Sequence, residues 1–215
     1  MGYVFIILAL FAAAALYRFV ISPVVTERYL AALISEERAD SPELIPKVLW
    51  AFMPRRRVLT SISLPVPGRD GEEIAYGTVA VTRAGIFIVS RICGNGLIEN
   101  PPREEKWRFL SCGSVKEFPN PFKEQDNPRR LLAMYAGAAG VKDVKVHTIV
   151  VYTDRALRFS VPPSKGMMHV SEVYKKMRRI ASKGDLDYRS IRAITKALKD
   201  ANDGIIFPIG RELVR

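Results

Sequence analysis

Three carboxylates, Asp70, Glu72 and Glu73, stand together immediately before a long uncharged-to-basic stretch, Ile74 to Ile98. Carboxylates so close in sequence could hold a hard divalent cation, which takes oxygen ligands. Acids clustered in a turn are more often simply solvated. The triplet Arg55-Arg56-Arg57 could meet a phosphate or a lipid headgroup, or merely complement the negative end of a helix that it closes. Two more sets of cations recur on the polar faces of amphipathic segments near the C-terminus: Lys175, Lys176, Arg178 and Arg179, then Arg189, Arg192, Lys196 and Lys199. Each is either a solvated face or a polyanion-binding one.

Other chemistries find no footing. The cysteines, Cys93 and Cys112, form no CxxC pair, and the histidines, His147 and His169, do not cluster, so a structural zinc site is excluded. Both thiols read as small buried hydrophobes in a reducing compartment. No P-loop and no Ser/His/Asp arrangement is evident, and Gly94-Asn95-Gly96 is a hairpin signal rather than a phosphate cradle. Across 215 residues, 33 Lys+Arg against 22 Asp+Glu give a net charge of +11. That balance favours an anionic partner, either nucleic acid or an anionic membrane face.

The elements that must position these groups are those of an α/β domain. Tyr76–Thr82 and Ile86–Ile92 are rich in β-branched and aromatic residues and turn through Arg83-Ala84-Gly85. They predict a hairpin buried on both faces, in the middle of a sheet. Ahead of it, Ser41-Pro42-Glu43 predicts a capped helix start, with Leu44, Val48, Leu49 and Phe52 on the apolar face. The arginine triplet ends that helix and opens a strand, Val58–Leu64. Behind the hairpin come strands at Trp107–Leu110 and Ser114–Phe118, a helix from Pro128 to about Ala139, and a strand Val144–Thr153. Val170, Val173, Tyr174, Met177 and Ile180, then Ile191, Ile194 and Leu198, mark the apolar faces of two closing helices.

The N-terminal run Tyr3–Tyr17 carries no charge, and its apolar character continues past Arg18 to Val25. That is about the 20-residue length of a transmembrane helix, with Arg18 snorkelling at the interface. Arg18 and Arg28 follow the run and no cation precedes it, which places the N-terminus outside and the rest in the cytoplasm. A cleaved signal peptide would need a basic n-region, and none is present. The expected divisions are an anchor over 1–25, an amphipathic connector helix over 26–40, an α/β domain over 41–181, and a helical extension over 182–215 that packs on it.

From Ser41 to Ile180 the chain resembles the nuclease-related domain (NERD) family, a branch of the restriction-endonuclease-like, PD-(D/E)xK, superfamily. The resemblance rests on Val58–Pro65, on Val79–Thr82 followed by Gly85-Ile86-Phe87-Ile88-Val89, on Gly96-Leu97-Ile98, on Trp107, and on Asn120-Pro121 with Gln125. It implies a mixed central sheet flanked by helices. It also implies an acid on one hairpin strand and a Glu-x-Lys on the next, holding a divalent metal that activates water for phosphodiester hydrolysis. Carried over, the first acid falls on Gly77, and the Glu-x-Lys falls on Ser90-Arg91-Ile92. No Asp or Glu occurs between Ile74 and Ile98 to replace them. Glu43 corresponds loosely to the family's helix glutamate, and Gln125 stands one residue late after Asn120-Pro121. Glu43, Arg91 and Gln125 are what a residual site would retain.

The sequence therefore points to a membrane-anchored, catalytically inactive module that binds or scaffolds on the cytoplasmic face of the cell membrane, without a cofactor. Its polyanion-binding candidates are Arg55, Arg56, Arg57, Lys175, Lys176, Arg178 and Arg179. The partner is the membrane itself, or a membrane protein complex, with nucleic acid less favoured. The alternatives are a metal-dependent nuclease using Mg²⁺ or Mn²⁺ on the displaced acids, or a nucleic-acid-binding protein.

Overall fold

The computed structural model describes residues 2–17, 21–69, 71–124 and 126–204. Two mixed sheets and six helices make up the described fold, which is mixed α/β. The helices are α1 (Gly2–Leu16), α2 (Ser22–Glu36), α3 (Leu44–Trp50), α4 (Asp126–Ala138), α5 (Val173–Ala181) and α6 (Tyr188–Asn202). The larger sheet runs in the order β1 (Val58–Pro65), β2 (Glu73–Thr82), β3 (Gly85–Ile92), β7 (Val146–Tyr152) and β9 (Met167–His169). The smaller one runs β6 (Ser114–Pro119), β5 (Lys106–Ser111), β4 (Leu97–Glu99) and β8 (Arg158–Phe159). β1, β2 and β3 pair antiparallel, whereas β7 joins β3, and β9 joins β7, in parallel.

The hairpin lies where its apolar character puts it, with β3 in the centre of the sheet. Phe87 and Val89 enter a core shared with Leu44, Val48 and Leu49 of α3, Tyr174 and Met177 of α5 and Leu30 of α2. Ile86 and Ile88 enter the opposite core, beneath Leu132 and Tyr135 of α4 and Ile191, Ile194 and Leu198 of α6. A third cluster, with Trp107, Ile98 and Val150, joins the small sheet to the large one. Each aliphatic or aromatic side chain so enclosed contributes roughly 1.5–3 kcal/mol. The apolar faces expected for the two closing helices are the buried ones, and α2, expected as a connector, supplies Leu30 to the first core.

One local feature departs from simple strand alternation. Leu59 and then Ile62 and Leu64 all enter the core under α4 and α6, as do Tyr76 and then Val79 and Val81 on β2. The phase of both strands therefore shifts at the same rung, while the pairing register stays constant on either side of it. Ser61, at φ 51°, and Gly77 stand at that rung. A positive φ reverses the pleat at Ser61, and the facing strand shifts phase opposite it, at Gly77.

Five expectations need correction. Ser41 does not cap α3, whose N-cap is Glu43 with no side-chain cap, because the chain makes a turn at Pro42-Glu43 first. The arginine triplet does not end α3 either. The helix stops at Trp50, and Arg55–Arg57 form a separate 3-10 turn after Pro54, so the helix dipole does not reach them. Gly94-Asn95-Gly96 is no hairpin turn but a crossing between sheets, where a Cβ on Gly96 would lie 2.2 Å from the Leu110 carbonyl oxygen. Cys112 is exposed in the β5–β6 turn rather than buried. The connector helix begins at Ser22, inside the apolar run, rather than at residue 26. Among the described residues no helix is long and apolar enough to cross a membrane.

Candidate functional site

The two hairpin positions singled out by the sequence open onto one cleft of about 490 Å³. Gly77 and Ser90 line it from adjacent strands, with Pro42 and Ile45 on one side and Glu124 and Pro128 on the other. A Cβ at Gly77 would meet nothing within 4 Å, so the position could hold an acid yet offers none. Ile92 packs instead beside the cluster of Ile98, Trp107 and Val150. Arg91 reaches the cleft, but its guanidinium donates to the backbone carbonyl of Ser41. Glu43 is not part of the lining. It pairs with Lys47 at 3.2 Å, and Lys47 also pairs with Glu37. These two carboxylates hold the Lys47 ammonium above its usual pKa through their hydrogen bonds. Gln125 lies outside the described residues.

Glu124 is the one carboxylate among the described residues lining the cleft, and no motif in the chain marks it. Tyr76 also borders the space. Its hydroxyl donates to the Pro128 carbonyl at 2.9 Å, and burial raises its pKa, so it stays protonated at neutral pH. The displaced acids are engaged elsewhere. Glu72 pairs with Arg69 at 3.0 Å, and Glu73 accepts from the Ser63 hydroxyl at 2.5 Å. Asp70 lies outside the described residues. Among the described residues no three His, Cys, Asp or Glu side chains converge to hold a metal ion. The donor set does not fit Mg²⁺ or Mn²⁺, which need several oxygen ligands at about 2 Å.

The cations are better organised than the acids. Three clefts run in series along one side of the molecule. The middle one, about 750 Å³, is lined by Arg57, Arg83 and Arg178 together with Trp50, Phe52 and Ser22, and among the described residues no carboxylate joins its lining. It shares Arg57 with a small groove that carries Arg56, Arg192, Lys196 and Lys199, opposed there by Asp200. It shares Arg83 with a third cleft of about 430 Å³ that carries Lys145, Arg179 and Lys183, opposed by Asp143 and Asp185. Among the described residues, none of these arginines and lysines forms a salt bridge.

Aromatic rings hold part of this band in place. Arg55 lies over Trp50 at 5.2 Å, and Arg56 and Arg57 lie over Tyr188 at 5.4 and 5.6 Å. Arg178 donates to the Tyr174 hydroxyl at 3.0 Å. Of the cations singled out from sequence, Arg55 and Arg189 stay out of the lining, whereas Arg56, Arg57, Arg178, Arg179, Arg192, Lys196 and Lys199 enter the band. Lys175 and Lys176 do not, because they pair with Glu27 at 3.4 Å and Glu172 at 3.0 Å. Arg83, Lys145 and Lys183 were not legible as members, since single cations in separate turns carry no pattern until the chain folds. No family model, curated protein or solved structure matches the chain.

Proposed function

We propose that this protein is a membrane-attached binding module on a nuclease-related scaffold that has lost the chemistry of its family. The observation that carries this reading is the cleft, whose hairpin strands present Gly77 and Ser90 where a metal would require carboxylates. Arg91, the charged strand residue nearest to it, is spent on the Ser41 carbonyl. The resemblance to the NERD family is supported in outline by a mixed sheet with β3 central, antiparallel to β2 and parallel to β7, and flanked by helices.

Attachment to the membrane is supported by α1. Its large apolar side chains stand exposed, Leu10 at 66% and Phe11 at 72%, and none of its described residues joins a core. A helix apolar all round needs an apolar environment. Its 15 residues rise about 22 Å, short of the roughly 30 Å hydrocarbon core, so the continuation through residue 25 is part of the proposal. We place the α/β domain in the cytoplasm because Arg18 and Arg28 follow the run.

Two experiments test the reading. Full-length protein is incubated with labelled DNA and RNA in the presence of Mg²⁺ or Mn²⁺, and no cleavage is expected. Cleavage abolished by Glu72→Gln and Glu73→Gln would establish the metal-dependent alternative. Protease added to intact cells should leave the C-terminal domain whole, and digestion from outside would overturn the cytoplasmic placement.

A further inference from the structure

We infer that the middle basic cleft binds the phosphate of an anionic phospholipid headgroup, an inference that rests on the membrane-attached reading. The lining is the first ground. Arg57, Arg83 and Arg178 reach it from three separate elements, and no carboxylate among the described residues neutralises them there. Arginine presents several donors in a planar fork that matches phosphate oxygens. Arg178 spends one donor on the Tyr174 hydroxyl, which fixes its side chain and leaves others for a ligand.

The second ground is the apolar part of the lining, to which Trp50 contributes its ring. Phe52, Met53 and Met177 add an apolar wall suited to the glycerol and upper acyl region. A cleft of about 750 Å³ is within the range that encloses a small ligand.

The third ground is position, and it selects a lipid over a free phosphate. Ser22 and Pro23, the first residues of α2, form part of the rim. They lie at the C-terminal end of the apolar run, where α2 begins, and Ile21, Val24 and Val25 beside them are exposed. A headgroup in this cleft would lie where the chain leaves the bilayer.

The test uses full-length protein in a neutral detergent. A Trp107→Phe variant leaves Trp50 as the single indole, since the chain has two tryptophans. It is titrated with short-chain phosphatidylglycerol, with phosphatidylcholine of the same chain length, and with inorganic phosphate. Saturable change in Trp50 emission with phosphatidylglycerol, at least tenfold tighter than with either other probe, is the expected result. Arg57→Gln or Arg178→Gln should each weaken it about tenfold, the effect of one lost charge-assisted hydrogen bond. Equal response to phosphatidylcholine, or indifference to both arginine variants, would overturn the proposal. Inorganic phosphate binding as tightly as phosphatidylglycerol would overturn the choice of a lipid. Should Trp107→Phe fail to fold, calorimetric titration of the wild type against the three probes gives the same comparison. Carbonate extraction of membranes separates the two levels. Release into the soluble fraction with phosphatidylglycerol binding intact would overturn anchoring alone, and retention without binding would overturn the cleft assignment alone.

Discussion

The guanidinium of Arg91, on β3, donates to the backbone carbonyl of Ser41, just ahead of α3. The contact ties the central strand to the segment that forms one wall of the Gly77/Ser90 cleft. Arg91→Ala should leave that carbonyl only the Leu44 amide, at 3.3 Å, and cost about 0.5–1.5 kcal/mol, read by chemical denaturation. Arg91→Lys, which can donate but lacks the fork, should recover part of the loss. An Arg91→Ala variant as stable as the wild type would show the clamp to be idle.

Supplying acids at the Gly77/Ser90 cleft should create a cation site. The double variant Gly77→Asp with Ser90→Glu is expected to melt at a higher temperature when Mn²⁺ is added, as ligand binding to the native state requires. The wild type should show no such shift. Ile92→Lys is a different matter, since Ile92 packs among Ile98, Trp107 and their neighbours. It should lower stability with or without metal.

Two glycines separate space from conformation. A Cβ on Gly85 would fall 2.0 Å from the Lys145 carbonyl oxygen, and φ there is +122°. Gly85→Ala should cost on the order of 1–3 kcal/mol or more. Gly77→Ala, with open space around the new methyl group, should change stability by less than about 0.5 kcal/mol. Parallel denaturation curves decide both.

Stability should fall on mild acidification through His169. Burial lowers its pKa, and Arg155 pushes it the same way, so the folded chain resists protonation. The unfolded chain takes the proton first, near pH 6.5, and stability is lost as pH falls from there through the folded value. The cap works in the same direction, since Nδ1 of His169 accepts from the Ser171 amide at 3.3 Å, a role that a protonated ring cannot fill. Melting temperatures at about pH 7.5 and pH 5 should differ more for the wild type than for His169→Asn, which can cap without titrating.

Much of the fold was legible because hydrophobic period speaks directly for burial. The strand pair around Arg83-Ala84 and the faces led by Val173 and Ile191 lie where their spacing puts them. The phase shift at Ser61 and Gly77 was not legible, because strand alternation presumes an uninterrupted pleat. Nor was the basic band, since Arg57, Arg83 and Arg178 are distant in sequence and meet only through packing. The vacancies at positions 77, 90 and 92 were read from residue type alone. That the open cleft at 77 and 90 excludes position 92, which is packed away, required the structure.

The place of α6 has a consequence for how the chain is made. Ile191, Ile194 and Leu198 complete the cover that Leu132 and Tyr135 of α4 begin on one face of the large sheet, over Leu59, Val79 and Ile88. Until α6 has left the ribosome, that face is covered only by α4. The N-terminal apolar run is by then long since synthesised. Synthesis therefore imposes an order, with the apolar run made first and this face completed by α6, and truncation ahead of residue 188 would leave the sheet half covered on a now adhesive side.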